Sequence, residues 1–170
     1  MEPLDLEREL DHVHAAAFGW ALACCAGNRA TAEDVLQTAY LKVLDGRARF
    51  NGRSSFRTWL FGVVRRTAAE ARRRERWGRW LPLVGFSASL GDGRPDSAIA
   101  LVRSEESRRL ELALGKLPAR QRETLHLVFY QGMTIAQAAE VLGVSLGTAR
   151  THYERGKVGL RRMLEETEGK

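Results

Sequence analysis

Between Thr134 and Arg155 the sequence has the spacing of a helix-turn-helix, a motif that lays its second helix in the major groove of DNA. Ala139 is small enough to leave room for a partner helix, and Gly143, four residues later, permits a positive φ at the turn. Ala149, six residues further on, faces back into the helix pair. This pattern predicts a DNA-reading element in the last quarter of the chain.

Both helices of this motif carry start signals. Thr134 and Gln137 fit a capping box, and Ser145 is suited to cap the second helix. The second helix, predicted over residues 146–157, would expose Arg150 at groove-reading spacing, and an arginine on guanine is the commonest specific contact in the major groove. An ordinary pair of amphipathic helices is the alternative, but such pairs rarely combine this spacing with these caps.

The positive charge of the chain is concentrated in one segment. The net charge is +6, yet residues 47–79 hold eleven arginines against Glu70 and Glu75, a local balance of +9 that leaves −3 for the rest of the chain. Arginine donates in two parallel directions and stacks on rings, which suits contacts with phosphates and bases. The segment therefore predicts a second nucleic-acid-binding surface, with a merely solvated basic face as the alternative.

The sequence offers no pattern for a metal site, a cofactor or a membrane span. Cys24 and Cys25 are adjacent and are the only cysteines, which fits neither zinc ligation nor a disulfide framework, and the four histidines are scattered. The N-terminus is acidic and lacks an apolar signal segment, and no run of about 18 apolar residues occurs. We expect a soluble cytoplasmic protein without metal, cofactor, small-molecule substrate or direct membrane insertion.

The elements that must position these residues are predicted to be helices throughout, so the expected fold class is all-α, with two small helical domains. The first helix is predicted from Leu6 to Ala26, with Gly27 and Asn28 ending it. The second is predicted from about Thr31 to Gly46, with Glu33 and Asp34 in its first turn. The apolar stripes of the two helices are Leu10, Val13, Ala17, Trp20, Ala21 and Cys24, and Val35, Leu36, Ala39, Tyr40, Val43 and Leu44.

A basic, turn-forming loop over residues 47–55 leads into a third helix, which Ser54 or Ser55 should cap. Trp59 is interpreted as a core residue of this helix because it lies on its apolar face. That face consists of Phe56, Trp59, Leu60, Val63 and Val64, and the other faces carry Arg57, Arg65, Arg66, Arg72, Arg73, Arg74 and Arg76.

The composition changes after this helix. Residues 80–95 contain two prolines and three glycines without helical periodicity, which is typical of a linker, either flexible or docked on a partner surface. A helix is predicted over residues 96–117, and Pro118 should open the next helix at its first position. Core residues follow at Leu125, Leu127, Val128, Phe129 and Tyr130. The predicted organisation is a first domain at 1–79, a linker at 80–95 and a second domain at 96–170.

Taken together, the two predicted helical domains resemble a bacterial sigma factor of the extracytoplasmic-function (ECF) group. The resemblance spans about residues 15–165. It lies in the segments Ala32–Leu44 and Phe50–Arg66, which match sigma region 2, and in Leu117–Lys157, which matches region 4. Because both blocks occur in the right order at the right total length, the match is specific. It implies a non-catalytic subunit that binds core RNA polymerase and directs promoter-specific transcription initiation.

The resemblance also implies a role for individual residues. The exposed side of the second helix is expected to bind core RNA polymerase through Asp34, Gln37, Thr38 and Leu41. The −10 promoter DNA is expected to be melted and held by Phe50, Asn51, Arg53, Ser54, Ser55, Arg57, Arg65, Arg66 and Arg73. The −35 duplex is expected to contact Ser145, Gly147, Thr148, Arg150, Thr151, His152, Glu154, Arg155 and Lys157. Arg155 and Lys157, with Arg161 and Arg162, are expected on phosphate, and an anti-sigma factor is the expected regulator.

Three residues depart from the usual pattern of the family. Asparagine often stands at the position of Arg66 and aspartate at that of Glu70, so the base preference at −10 does not transfer from relatives. Ala149 replaces a branched residue.

Two other classes of protein share parts of the pattern. A LuxR-type regulator has a similar helix-turn-helix but needs a receiver domain with parallel strands and an acidic phosphorylation pocket. A serine recombinase, an enzyme, needs an N-terminal α/β domain with a nucleophilic serine, yet no serine precedes Ser54. A nuclease would need a carboxylate cluster for two metals, which the sequence does not show.

Overall fold

The structure is a computed structural model that describes residues 3–78 and 105–168, with side chains at 5–74 and 109–166. The described residues are helical with intervening turns and contain no strand, so the predicted all-α class is confirmed. They fall into two compact units, one on each side of the gap at 79–104. The predicted linker and both predicted domain boundaries lie outside the described residues.

The first unit packs three helices against one another: α1 (Pro3–Cys24), α2 (Arg29–Leu44) and α3 (Phe56–Gly78). The stripe predicted for α1 is buried at all six positions, from Leu10 to Cys24. Trp20 is fully buried, its Nε1 donates to the Phe61 carbonyl at 3.0 Å, and its ring stacks on that of Phe61. Phe61 was not part of the predicted apolar face. It is nevertheless fully buried, because α3 packs against both α1 and α2.

The predicted start of α2 was wrong by two residues. Asn28, which the sequence indicated as the end of α1, is the N-cap of α2, and its side chain accepts from the Thr31 backbone N–H at 3.0 Å. Glu33 and Asp34 consequently lie beyond the first turn. In the predicted stripe of this helix, Val35, Leu36, Ala39 and Val43 are buried, whereas Tyr40 is half-buried and Leu44 is exposed.

The second unit is organised around its last helix. Its elements are α4 (Glu105–Lys116), α5 (Ala119–Leu125), a π-helical turn (His126–Tyr130), α6 (Ile135–Leu142) and α7 (Leu146–Glu168). Helix α7 packs against α4, α5 and α6. Pro118 has an extended ψ of 139° and precedes α5, so the prediction that it is the first helical residue was off by one position.

The π-helical turn corrects the predicted core of this unit. Gln131 N–H donates to the His126 carbonyl five residues back, at 3.2 Å, so the helical spacing of 3.6 residues does not continue through the turn. Leu127 is buried as predicted, but Phe129 and Tyr130 are 60% and 57% exposed. Met133 is buried after the turn. Burial lowers the pKa of His126 to about 4, so its imidazole is neutral at pH 7.

Candidate nucleic-acid interface

The first helix of the predicted helix-turn-helix is capped as the sequence indicated. The Thr134 hydroxyl accepts from the Gln137 backbone N–H at 3.2 Å, and the Gln137 side-chain oxygen accepts from the Thr134 backbone N–H at 2.8 Å. This reciprocal pair satisfies two backbone donors that have no partner within the helix. The predicted capping box is confirmed, and it fixes where α6 begins.

The turn between α6 and α7 depends on Gly143. This residue has φ +63° and ψ 41°, in the left-handed region, and Val144 N–H donates to the Ala139 carbonyl at 3.1 Å. Ala139 and Ala149, the two predicted small residues, are 5% and 0% exposed, which allows the two helices to approach closely.

Replacing Gly143 with alanine is expected to destabilise the second unit by about 1–2 kcal/mol, because an L-residue is strained in the left-handed region. A Cβ at this position meets no atom within 4 Å, so the loss would come from the backbone conformation alone. Urea unfolding followed by circular dichroism measures the change. Gly147→Ala is the matched control, since Gly147 is helical without a positive φ and alanine there is expected to stabilise α7 by up to about 1 kcal/mol.

The first turn of α7 is held by its own side chains. The Ser145 hydroxyl accepts from the Thr148 backbone N–H at 3.1 Å, which confirms the predicted cap, and the Thr151 hydroxyl donates to the Gly147 carbonyl at 3.0 Å. Four backbone N–H groups at a helix start carry partial positive charge, which favours a phosphate nearby.

One face of α7 is exposed along the predicted groove-reading positions. Arg150, Thr151, Glu154 and Arg155 are exposed, while Ala149 on the opposite side is fully buried. The remaining predicted −35 residues divide into exposed and half-buried positions. Ser145, Gly147 and Thr148 are exposed, whereas His152 and Lys157 are half-buried.

Lys157 is more constrained than the sequence indicated. Its Nζ lies 3.0 Å from the Glu154 carboxylate and 4.5 Å from the centre of the Tyr153 ring. An ammonium held by a carboxylate and an aromatic face makes a weaker phosphate ligand than a solvated one. Arg155, Arg161 and Arg162 are exposed on the same helix.

Sequence reasoning missed a residue that connects α5 to the turn of the motif. Arg120 Nη1 donates to the Leu142 carbonyl at 3.4 Å, at the end of α6, and lies 3.7 Å from the carboxylate of Glu123. Glu123 is only 5% exposed. The available signal was the three-residue spacing of Arg120 and Glu123, at which side chains on a helix meet, and a buried carboxylate requires a cationic or hydrogen-bonding partner.

The predicted −10 loop of the first unit rests on an aromatic cluster. Phe50, Phe56 and Trp59 lie with ring centroids 5.4–5.6 Å apart. Phe56 is buried but Trp59 and Phe50 are half-buried, so Trp59 is at the edge of the core. The Ser55 hydroxyl accepts from the Thr58 backbone N–H at 3.1 Å, which identifies Ser55 as the cap of α3.

The other loop residues are presented to solvent. The Asn51 side-chain oxygen accepts from the Arg53 backbone N–H at 3.2 Å, and Gly52 at the tip has φ +72°. Asn51, Arg53 and Ser55 are exposed and Ser54 is half-buried. This loop offers amide, hydroxyl and guanidinium groups next to aromatic faces.

The arginines of α3 differ in their exposure and in the groups they contact. Arg66 and Arg73 are exposed, and Arg65 and Arg57 are half-buried. The Arg57 guanidinium lies 5.2 Å from the centre of the Phe61 ring. Arg72 is exposed, but its Nη1 donates to the Cys24 carbonyl at 2.6 Å, at the end of α1, and so connects α3 to α1. Among the predicted −10 residues, the exposed cations are therefore Arg53, Arg66 and Arg73.

The predicted polymerase-binding face lies on α2. Asp34, Gln37 and Leu41 are exposed and Thr38 is half-buried. Gln37 and Leu41 border an open groove between α1 and α2 that Phe18, Leu36 and Tyr40 also line. The Tyr40 hydroxyl lies 3.2 Å from His14 Nδ1, and burial, with a smaller effect of Asp11, raises the pKa of Tyr40 to about 12.

Within residues 3–78 and 105–168, no three histidine, cysteine or acidic side chains come together as a metal site would require. Over the same part of the chain, none of the helices combines the length and the apolar character needed to cross a lipid bilayer.

Comparison with known proteins decides the family. Residues 6–78 match the family model of sigma-70 region 2, and residues 107–160 match that of sigma-70 region 4. The two matched segments coincide with the two units of the structure and make up more than half of the chain. The chain belongs to the sigma-70 family, in its ECF group.

Characterised relatives support this assignment. The sigma factor is 32% identical to the ECF RNA polymerase sigma factor SigX of Bacillus subtilis over 136 residues, which cover 78% of this chain and 70% of that protein. It is also 32% identical to the RNA polymerase sigma factor CarQ of Myxococcus xanthus over 157 residues, 91% of this chain and 87% of that protein.

Solved structures show the same fold. The sigma factor RpoE of Bartonella quintana, crystallised with the anti-sigma factor NepR, superposes with a TM-score of 0.71 at 24% identity, covering 95% of this chain and 97% of that one. CnrH, solved with the cytosolic domain of CnrY, gives a TM-score of 0.66 at 20% identity, covering 97% and 90%.

The family assignment excludes the alternative classes. A sigma factor is a transcription initiation factor, not an enzyme, and its partners are core RNA polymerase and promoter DNA. The LuxR-type and recombinase alternatives required an N-terminal domain built on a sheet. Residues 6–78 match sigma-70 region 2 instead and are described as helices from residue 3 to residue 78, apart from the two connections.

Proposed function

We propose that this sigma factor divides promoter recognition between its two units: α7 reads the −35 element as duplex, and the 50–55 loop with α3 captures the −10 element as a single strand. The observation that carries the proposal is the exposed face of α7, where Arg150, Thr151, Glu154 and Arg155 stand opposite the fully buried Ala149. A helix that is packed on one face and exposed on the opposite face can present two successive turns to base edges.

The −10 assignment rests on the chemistry that strand separation requires. Unstacking a base costs a few kcal/mol, and this cost must be offset by stacking partners and phosphate contacts. The aromatic cluster of Phe50, Phe56 and Trp59 lies beside the loop, and exposed Arg53 and Arg66 supply cations for the backbone. Hydroxyl and amide groups of the loop can bond the edges of unpaired bases.

We assign core RNA polymerase to the exposed side of α2. Asp34 and Gln37 provide an acid and an amide, and Leu41, 48% exposed, provides an apolar contact next to them. An interface with an apolar centre and a charged rim gains specificity and association rate from the rim.

An anti-sigma factor is the proposed regulator. The sigma factor RpoE of Bartonella quintana was solved with the anti-sigma factor NepR, and CnrH, which has the same fold, was solved with the cytosolic domain of CnrY. The exposed apolar groove between α1 and α2 of this chain is suited to protein binding.

Run-off transcription with core RNA polymerase tests the proposed function. The wild-type chain is expected to direct start-site-specific transcripts from a subset of a genomic promoter library, whereas core enzyme alone gives none. Failure to stimulate any specific transcript, with a chain that binds the polymerase, would overturn the proposal. Promoters found in this way provide the DNA for the variant experiments below.

Replacing Asp34 with alanine is expected to weaken binding to core RNA polymerase by up to about fivefold, mainly through slower association, because an exposed charge acts chiefly on the encounter rate. Fluorescence anisotropy of a labelled chain titrated with core enzyme at two salt concentrations measures the change. Glu9→Ala is the matched control, since Glu9 is an exposed acid on α1. Equal effects of the two variants would contradict the assignment of this face.

A further inference from the structure

A lysine outside the proposed DNA-binding set forms an ion pair between α2 and α3. Lys42 Nζ lies 2.6 Å from the Glu70 carboxylate, and it donates to the Thr67 hydroxyl at 3.2 Å. Thr67 is 3% exposed and the Lys42 side chain 20% exposed, so the ammonium is drawn towards the helix interface. The Glu70 side chain is still 38% exposed at the surface of α3.

The position of Glu70 makes this contact important for DNA. Glu70 comes four residues after Arg66 and three before Arg73, so the three side chains share one face of the helix. Both arginines are exposed and belong to the proposed −10 surface. A carboxylate between them would repel a phosphate backbone, and it could also form helical ion pairs with either arginine. Among the described residues, Glu70 pairs with Lys42.

We propose that Lys42 is a positioning residue for promoter capture: by pairing with Glu70 it keeps this carboxylate away from Arg66 and Arg73, which then face the DNA strand as uncompensated cations. The inference rests on the proposed −10 function of α3. It assigns a function in DNA binding to a residue of α2 that does not itself contact DNA. The pair also bridges two helices, so the test must separate an electrostatic role from a structural one.

Removing the lysine charge releases the carboxylate. In the Lys42→Met variant, Glu70 has Arg66, Arg73 and Arg74 at the three- and four-residue spacing at which side chains on a helix meet. An arginine paired with Glu70 is lost as a phosphate ligand. Each phosphate contact to a single strand contributes about 0.7 to the slope of log K against log salt. The slope of log K against log salt therefore measures the number of phosphate contacts.

The experiment measures the affinity of the reconstituted holoenzyme for a fluorescein-labelled single strand, the non-template −10 region of a promoter found by run-off transcription, over a range of NaCl concentrations. Lys42→Met is expected to lower the magnitude of the slope by about 0.7. The double variant Lys42→Met with Glu70→Gln is expected to restore the wild-type slope, because no carboxylate remains to be neutralised. Lys42→Arg is expected to keep it, because the cation is retained.

A structural role for the pair would give a different result. Urea unfolding, followed by tryptophan fluorescence, would then show destabilised variants, while the slopes of folded protein would stay at the wild-type value. An unchanged slope for folded Lys42→Met, or a double variant as weak as Lys42→Met, overturns the inference. If Lys42→Met does not fold, Glu70→Gln alone still tests the inference. The salt slope of this variant is expected to equal that of the wild type. A slope lower in magnitude by about 0.7 would show that the Glu70 carboxylate itself supports binding, and it would overturn the inference.

Two further variants distinguish failure of this inference from failure of the proposed function. Arg66→Ala and Arg73→Ala should each lower the slope if α3 binds the strand. If they do so and Lys42→Met does not, only the role of Lys42 is refuted. If neither arginine variant changes the slope, the −10 function of this surface is itself refuted.

Discussion

Replacing Trp20 with alanine is expected to destabilise the first unit by about 3–5 kcal/mol, the usual cost of removing a large buried aromatic side chain. Trp20 is fully buried, stacks on Phe61 and donates its indole N–H to the carbonyl of that residue at 3.0 Å. Small domains have about 5–15 kcal/mol of stability in total. The variant should therefore be partly unfolded in its first unit at physiological temperature, with loss of initiation from every promoter.

The distribution of tryptophan makes this prediction specific to one unit. The four tryptophans are at positions 20, 59, 77 and 80, so fluorescence reports on the first half of the chain even after Trp20 is removed. Circular dichroism reports on both halves. In urea, the fluorescence transition of Trp20→Ala is expected at a much lower concentration, while the helical signal from the second half is retained.

The variant Trp20→Phe is the control for packing. It keeps an aromatic ring in the core and removes the indole N–H, so an intermediate loss of stability is expected. A change below about 1 kcal/mol for Trp20→Ala would contradict the central position of this side chain in the three-helix core, because the cavity it leaves would then have to collapse almost completely.

Sequence periodicity predicted the core well where the buried arc of a helix is narrow and less well where it is wide. All six predicted residues of α1 are buried. In α3 the five consecutive residues 60–64 are buried, an arc wider than the single stripe that periodicity reveals, and Phe61 was missed. In the second unit, the π-helical turn interrupts the 3.6-residue repeat, which explains why Phe129 and Tyr130 were wrongly placed in the core.

Local signals predicted caps and turns because these depend on neighbouring residues. The capping box of Thr134, the cap at Ser145 and the left-handed Gly143 were all confirmed. Asn28 was missed because the sequence allows it to end one helix or to begin the next, and the short connection between α1 and α2 uses it for the second purpose.

The candidate site was predictable in residue type but not in pairing. The number and positions of the charged residues can be read from the sequence, but tertiary packing decides which of them are exposed to solvent without an ion-pair or hydrogen-bond partner. Arg72 bonds the end of α1, Lys157 is held by Glu154 and Tyr153, and Lys42 crosses to Glu70. The contacts of Arg72 and Lys42 do not follow from spacing along the chain, whereas Glu154 and Tyr153 lie three and four residues before Lys157 on one helix.

Replacing Arg150 with alanine is expected to reduce discrimination at one base pair of the −35 element by about 1–3 kcal/mol, the usual contribution of a bidentate arginine–guanine contact. Arg150 is exposed in the second turn of α7, on the face opposite Ala149. Run-off transcription from promoters with each −35 position changed in turn measures the effect. At one position, which is guanine in the most active promoter, changing the base should no longer affect transcription by the variant.

The control for this variant is Arg161→Ala, which removes an exposed arginine of the same helix that is expected to contact phosphate. A phosphate contact carries no sequence information, so this change should weaken all promoters alike and lower the salt slope of duplex binding by about 0.9. Arg150→Ala should instead act on one position and leave the other positions as selective as before. If Arg150→Ala weakens every promoter equally, Arg150 binds the backbone, and base reading must be reassigned to Thr151, Glu154 or Arg155.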